Sequence, residues 1–480
     1  MSETTHTPHP THTTPQTPRS AADLTATEML AAFASGELSP TEATEATLQR
    51  IADSNDTVNA YCLIDAEAAR TQARASEQRW HHGHPHGALD GIPASIKDIF
   101  LTSGWPTLRG SRTIEANQTW AVDAPPVARM REHNAVLIGK TTTPELAWKG
   151  VTDNPLTGIT RNPWDPTRTA GGSSGGAAAA VALGMAPLAI GTDGGGSVRI
   201  PASFCGICAL KPTYGRIPHY PASPFGTLAH AGPLTTTVAE TALMMDVLSE
   251  PDSRDWSALA PPTASYRGGL DAGVRGLRIA FSSDLGYATV DPDVATTVAR
   301  AVQVFQELGA SVEPADPGFG DPVDDFHILW STGAAKSIEH LSSQQRTLLD
   351  PGLREVCEQG LSYSAQDYLE ATNTRMQLGL RMGLFHDTYD LLLTPTVPVA
   401  PFEAGTEVPP GSSFPRWTGW TSLTYPFNMT QQPAASIPCG FTSEGLPVGL
   451  QIIGPRHADA RVLQAAHAFE QARPWNRPTP

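Results

Sequence analysis

Gly191-Thr192-Asp193-Gly194-Gly195-Gly196-Ser197-Val198-Arg199 is the stretch on which the reading of this chain turns. A short apolar run at 187–190 precedes it, and a helical turn is expected from Ser197 onward, so it reads as strand, glycine turn, helix. Three glycines before Ser197 let the backbone turn where side chains would clash. Peptide N–H groups at such a turn, just ahead of a helix, can converge on a negative oxygen. An oxyanion hole needs this, and one such donor is worth roughly 3–4 kcal/mol. A serine at the end of the turn is placed to attack the carbonyl that those donors polarise. A phosphate loop would instead require Gly-Lys-Ser/Thr, which is absent.

Upstream lies a second cluster, Gly171-Gly172-Ser173-Ser174-Gly175-Gly176, whose Ser173 is 24 residues before Ser197. It matches G-x-S-x-G, the nucleophile elbow of α/β-hydrolases. That alternative needs a downstream acid and histidine; His327 and His457 are present, but no local motif recommends either. Further upstream, Lys97 lies within an apolar run at 92–99 that reads as a buried strand. The chain has only five lysines (Lys97, Lys140, Lys149, Lys211 and Lys336), so nearly all its basic charge is arginine. Only lysine readily gives up its proton when buried. Burial disfavours the charged form, and a neutral amine can serve as a base near pH 7. The plain alternative is a surface lysine or an ion pair with Asp98. Together these residues supply a serine nucleophile, a second serine to pass a proton, a lysine base and backbone donors. That is an acyl-transfer site without histidine or metal.

Outward from these motifs, strand and helix patterns alternate, which places the chain in the α/β class. Helices are expected at 21–54 (two, with Thr25 capping the first and Pro40 opening the second), 65–80, 126–133, 176–184, 238–248, 291–308 and 458–472. Strands are expected at 92–99, 135–139, 187–190, 277–282, 311–313, 391–393, 434–437 and 447–453. The stretch 321–389 reads as mostly helical. Residues 1–20, rich in Thr, Pro and His, read as a disordered tail without the apolar core of a signal peptide. The chain is 40% hydrophobic and 17% charged, with a formal charge of −16. Such an acidic chain lacks the electrostatic footprint of a nucleic-acid or anionic-membrane binder. No run reaches the roughly 20 apolar residues of a membrane span. An odd number of cysteines, five, without a secretory signal points to a reducing, cytoplasmic setting. Cys205 and Cys208 form a lone C-x-x-C, read as buried small hydrophobes in place of a zinc or redox pair. His81, His82, His84 and His86 read as an exposed loop.

The joint pattern resembles the amidase signature family of serine hydrolases. The motifs that carry it are Lys97, the two Gly/Ser clusters at matching spacing, Arg199-Ile200-Pro201 and Lys211-Pro212-Thr213. The resemblance is strong over about 89–248 and returns at 389–401 and 425–470, including Gly445-Leu446-Pro447-Val448-Gly449-Leu450-Gln451. It implies one large domain over 21–480, a mixed twisted sheet covered by helices on both faces, with a variable, largely helical region at about 290–390. It implies a Ser–Ser–Lys triad of Ser197 (nucleophile), Ser173 (bridge) and Lys97 (base), with a cis peptide bond between Gly172 and Ser173. The N–H groups of Gly194, Gly195, Gly196 and Ser197 are the implied oxyanion donors. Ser174, Asp193 and Arg199 are expected to support them. No cofactor and no metal are implied.

The family's activity implies hydrolysis of a carbon–nitrogen bond in a small, apolar or aromatic amide through an acyl-enzyme. The variable segments at about 249–388 and 405–430 are expected to set specificity. Trp148, Lys149 and Gly150 lie in the stretch before the first cluster, which in the family often borders the substrate, and are candidates for the substrate site. Trp330, Trp417, Trp420, Tyr425 and Phe427 are candidates for an apolar or aromatic wall, although each of these five is read more simply as core. The alternatives are a carbamate or ester hydrolase on the same triad, the glutaminase subunit of a tRNA-dependent amidotransferase, and an inert binding protein on this scaffold. The partner is then a small-molecule amide or carbamate, with no nucleic acid or membrane, and the enzyme is a monomer or homodimer.

Overall fold

The structure is a computed structural model that describes residues 20–478. The proposed disordered tail lies outside the described residues, apart from Ser20. Two capping boxes start the chain: Thr25 with Glu28 opens the helix Ala26–Ser35, and Ser39 with Glu42 opens Pro40–Val58, where Pro40 takes the first turn.

Among the described residues, thirteen strands follow. In chain order they are β1 (Tyr61–Ile64), β2 (Pro93–Lys97), β3 (Val136–Thr141), β4 (Asp153–Asn154), β5 (Gly158–Ile159), β6 (Leu188–Asp193) and β7 (Cys208–Lys211). The rest are β8 (His230–Thr235), β9 (Arg278–Phe281), β10 (Ser311–Pro314), β11 (Leu391–Pro395), β12 (Ala434–Phe441) and β13 (Pro447–Ile453). β4 and β5 form a small ribbon, and the other eleven make one sheet in the order β1-β3-β2-β6-β8-β7-β12-β13-β11-β9-β10. The sheet is mixed: β3, β2 and β6 run parallel, as do β11, β9 and β10, whereas the pairs from β6 through β13 to β11 are antiparallel.

Strand alternation shows that both faces are covered. Leu188 and Ile190 join one apolar cluster with Met130, Leu243 and Phe469, while Ala189 between them joins another with Ala178, Val181 and Ala202. Cys208 and Leu210 likewise face the first cluster and Ala209 the second. A single α/β domain with helices flanking a large mixed sheet results. Cys205 and Cys208 are free and buried, as the small-hydrophobe reading expects. The four histidines at 81–86 are exposed.

The strands expected at β2, β3, β6 and β9 to β13 form, with ends shifted by a few residues. Sequence patterning missed β1, β7 and β8, and the two-residue strands β4 and β5. β7 and β8 are buried at every position and so carry no polar–apolar alternation, and β8 also holds a glycine and a proline, which break a strand signal. The region 290–390 contains the helices Pro292–Glu307, Val323–Ser337, Ser343–Arg346, Pro351–Ser362 and Ala365–His386, with β10 among them. Among the described residues, no helix is long and apolar enough to cross a membrane.

Topology sets the site. β2 and β6 are parallel neighbours, in register at Ala94↔Leu188 and Ile96↔Ile190. Lys97 ends β2, and the loop Gly194–Ser197 leaves the end of β6, so both emerge at the same edge. In open α/β sheets, ligands bind outside the carboxyl ends of the strands.

Candidate active site

Lys97 is fully buried, and its Nζ lies 2.7 Å from Ser173 Oγ, 2.9 Å from Ser174 Oγ and 2.8 Å from Thr192 Oγ1. Burial pushes its amine well below the ordinary lysine value, and the charge of Asp193 only partly opposes this. The two Gly/Ser clusters are tied together: Ser174 N–H donates to the Ser197 carbonyl at 3.1 Å, and Ser174 Oγ donates to the Thr192 carbonyl at 3.1 Å. The peptide bond Gly172–Ser173 is cis. Gly172 must be glycine, because a Cβ there would lie 2.6 Å from the Val151 backbone.

Asp193 organises the turn. Its carboxylate accepts from the N–H groups of Gly196 (2.8 Å) and Val198 (3.2 Å), from Nε of Arg199 (3.0 Å) and from Asn428 Nδ2 (2.8 Å). Burial alone would raise this carboxyl, but the Arg199 charge and hydrogen bonds, with Lys211 and Asn428, hold it well below the usual carboxylate range. Arg199 spends its remaining donors on the Thr424 carbonyl, Gln451 Oε1 and Asn428 Oδ1. Lys211 is also buried and donates to the Pro212 carbonyl at 3.3 Å and to that of Gln432. Asp193 and Arg199 meet at the turn from neighbouring positions, whereas Asn428 and Thr424 reach it from more than 220 residues away in sequence. Asp193→Asn leaves the Arg199 charge buried without its counter-ion. It is expected to cost about 3–5 kcal/mol of stability, the range for breaking a buried ion pair, read as a lower urea midpoint.

One expectation is corrected. Gly196 does not have a free N–H to offer an oxyanion, because that donor is committed to Asp193. Its φ of 126° lies in a region that favours glycine, and a Cβ would meet Thr424 Oγ1 at 2.4 Å. Among the described residues, the N–H groups of Gly194, Gly195 and Ser197 have no hydrogen-bond acceptor and remain as the donors at this turn.

Ser173, Thr192, Gly194 and Ser197 line a cavity of about 180 Å³. Its apolar wall includes Phe100, Leu146, Phe225 and Trp330, and the Phe225 and Trp330 rings stack 4.1 Å apart. Trp330 therefore lines this cavity. None of the other candidates lines the cavity. Trp148 is buried behind it, and its carbonyl accepts from Trp330 Nε1 at 3.2 Å. Lys149 is held by Asp153 (2.7 Å) and Asp350 (3.3 Å). Gly150 packs under Trp417 and Trp420, and Trp420 stacks on Phe204. Aromatic residues in a large chain fill core more often than they face ligand, and sequence offers no signal to separate the two.

The nucleophile-elbow alternative does not assemble. His327 bonds Thr418 Oγ1, and neither His327 nor His457 lines the cavity. His219 does, but burial lowers it to about 4, and no carboxylate bonds its ring. Among the described residues no group of three or more His, Cys, Asp or Glu is arranged to hold a metal. Besides Asn428 and Thr424, sequence reasoning missed Thr192, a direct partner of Lys97, and Arg109, which lines the cavity. Thr192 sits within the diagnostic stretch and was findable, whereas Arg109 carries no motif.

The chain has relatives among known proteins. The family model described as Amidase matches residues 42–463. The chain is 39% identical to an acylamidase of Rhodococcus erythropolis, over 94% of this chain and 96% of that protein. It is 35% identical to a glutamyl-tRNA(Gln) amidotransferase subunit of Chloroflexus aurantiacus, over 95% and 98%. The crystal structure of a bacterial aryl acylamidase of the amidase signature family superposes with a TM-score of 0.89 at 33% identity, covering 94% of this chain and 96% of that one.

Proposed function

This chain belongs to the amidase family, and we propose that it hydrolyses small apolar or aromatic amides with Ser197 as nucleophile, Ser173 as proton relay and Lys97 as base. The observation that carries this reading is the buried Lys97 amine bonded to Ser173, which lines one aromatic-walled cavity together with Ser197. The hydrogen bonds also favour Ser173 over Ser174 as the relay. The Ser174 hydroxyl proton goes to the Thr192 carbonyl, so Ser174 can only accept from Lys97. A neutral amine has two N–H donors and one lone pair. Donation to Ser174 and Thr192 leaves the lone pair for the Ser173 O–H.

Lys97 then takes the Ser173 proton as Ser173 takes that of Ser197. Ser197 Oγ attacks the amide carbonyl, and the N–H groups of Gly194, Gly195 and Ser197 are the available donors for the oxyanion. The proton returns through Ser173 to the departing amine. Water, deprotonated by the same relay, cleaves the acyl-enzyme. The acylamidase and aryl acylamidase among the similar proteins support an aryl or acyl amide. Glutamine fits less well, because its ammonium needs an acidic partner and no Asp or Glu lines the cavity among the described residues.

The test uses an amide, a carbamate and an ester that release one shared chromophore, with glutamine as a fourth substrate. Cleavage of the amide by the wild type, lost in Ser197→Ala, is the expected result. Turnover of the ester alone, or of glutamine alone, overturns the proposed substrate class.

A further inference from the structure

Arg109, half-buried, stands apart from the buried Arg199 and the half-buried Arg375. Arg199 makes five hydrogen bonds to protein acceptors and Arg375 makes four. The Arg109 guanidinium makes no hydrogen bond or ion pair with any described residue, and its Nε is buried without an acceptor. Buried donors are almost always matched in folded proteins, so an unmatched Nε at a cavity wall, on a guanidinium with no protein partner, points to a ligand there.

The backbone holds Arg109 at the cavity at some conformational expense. Its φ is 54°, a region that non-glycine residues rarely adopt. Its N–H donates to Asp98 Oδ2 at 2.8 Å, and its carbonyl accepts from Leu146 N–H at 2.8 Å. Asp98 is itself locked 3.1 Å from buried Lys140, so its charge is already matched. Leu146 and Ala147, at φ 50° and 61°, also line the cavity. Left-handed non-glycine residues cluster where a ligand site dictates the backbone. Among the described residues that line the cavity, Arg109 is the only arginine, and there is no lysine, aspartate or glutamate. The neighbouring His219 is neutral at pH 7, since burial lowers it to about 4.

We propose that Arg109 is a specificity residue that binds a carboxylate carried by the amide substrate, while the Phe225–Trp330 wall takes its apolar part. A guanidinium fork matches a carboxylate with two parallel hydrogen bonds, and nothing in the cavity repels the negative charge. This rests on the assignment of Ser197 and its cavity as the amidase site.

The test measures binding by calorimetry in the Ser197→Ala background, so that no probe turns over. Three probes are compared: acetanilide, 4-acetamidobenzoate with the carboxylate on the amine half, and N-phenylsuccinamate with it on the acyl half. At least one carboxylate probe is expected to bind about 30-fold more tightly than acetanilide, within the range for a charge-assisted bond. Adding Arg109→Met should shrink that preference to about 3-fold or less, and Arg109→Lys should retain part of it. Equal binding of all three probes, or of none, overturns the proposal whatever the variants do. A preference that survives in a folded Arg109→Met protein also overturns it. Wild-type hydrolysis of acetanilide, assayed separately, reports on the amidase assignment and stands or falls independently.

Discussion

Ser197→Ala is expected to lower kcat/KM for an amide by at least about 10⁴-fold, the scale on which nucleophile removal acts in serine hydrolases. The methyl side chain cannot form an acyl-enzyme, and neither Ser173 nor Ser174 is placed to substitute. Ser173 is turned to Lys97, and the proton of Ser174 is held by the Thr192 carbonyl. The fold should be undisturbed, because the Ser197 contact that joins the two clusters is its backbone carbonyl, accepting from Ser174 N–H. The measurement is steady-state turnover with a melting curve as control, joined by fluorophosphonate labelling of the wild type. A variant that melts normally and turns over within 10-fold of the wild type would sink the assignment.

Lys97→Met is the second large effect, with turnover expected to fall by about 10²–10⁴-fold, the contribution of a positioned general base. Methionine fills similar volume but removes the only basic atom beside Ser173. The pH dependence separates a base from a packing residue. Burial holds the Lys97 pKa well below its ordinary value. The neutral base is therefore present above the folded-state pKa, and activity is lost as pH falls through it. Lys97→Met should abolish that acidic limb as well as lower the plateau.

Stability carries the same sign. The unfolded lysine holds its proton up to its ordinary pKa while the folded one does not. Between the two values unfolding takes up a proton, so the lysine's burial cost shrinks as pH rises through this window. Replacement by methionine should raise stability at the low end of the window by more than at the high end. A variant with an unchanged acidic limb would show that another group titrates.

Much of the site was legible because its chemistry is local. Ser197 with the glycines before it, Ser173 in its own cluster and Lys97 within an apolar run can each be read from a few neighbouring residues. The donor set was read less well. The sequence offers four N–H groups at the turn, but whether each is free depends on where the Asp193 carboxylate points, and Arg199 and Asn428 fix that direction. Lys149 shows the same limit from the other side. Its neighbourhood before the first cluster suggested substrate, yet Asp350 arrives from a distant segment and, with Asp153, neutralises it.

Short stretches of chain are enough for the α/β class, the glycine turn, the serines and the buried lysine, because steric demand and strand periodicity act over a few residues. The rest depends on which distant groups meet. Parallel pairing of β2 with β6 brings Lys97 beside Thr192 across 95 residues of chain. The packing of Phe225 against Trp330 selects which aromatics face the cavity. The capture of its backbone by Asp98 and Leu146 leaves the Arg109 guanidinium without a protein acceptor. In each case the outcome is set by long-range packing and by the donors left over once it is complete, and no single segment of the chain encodes it.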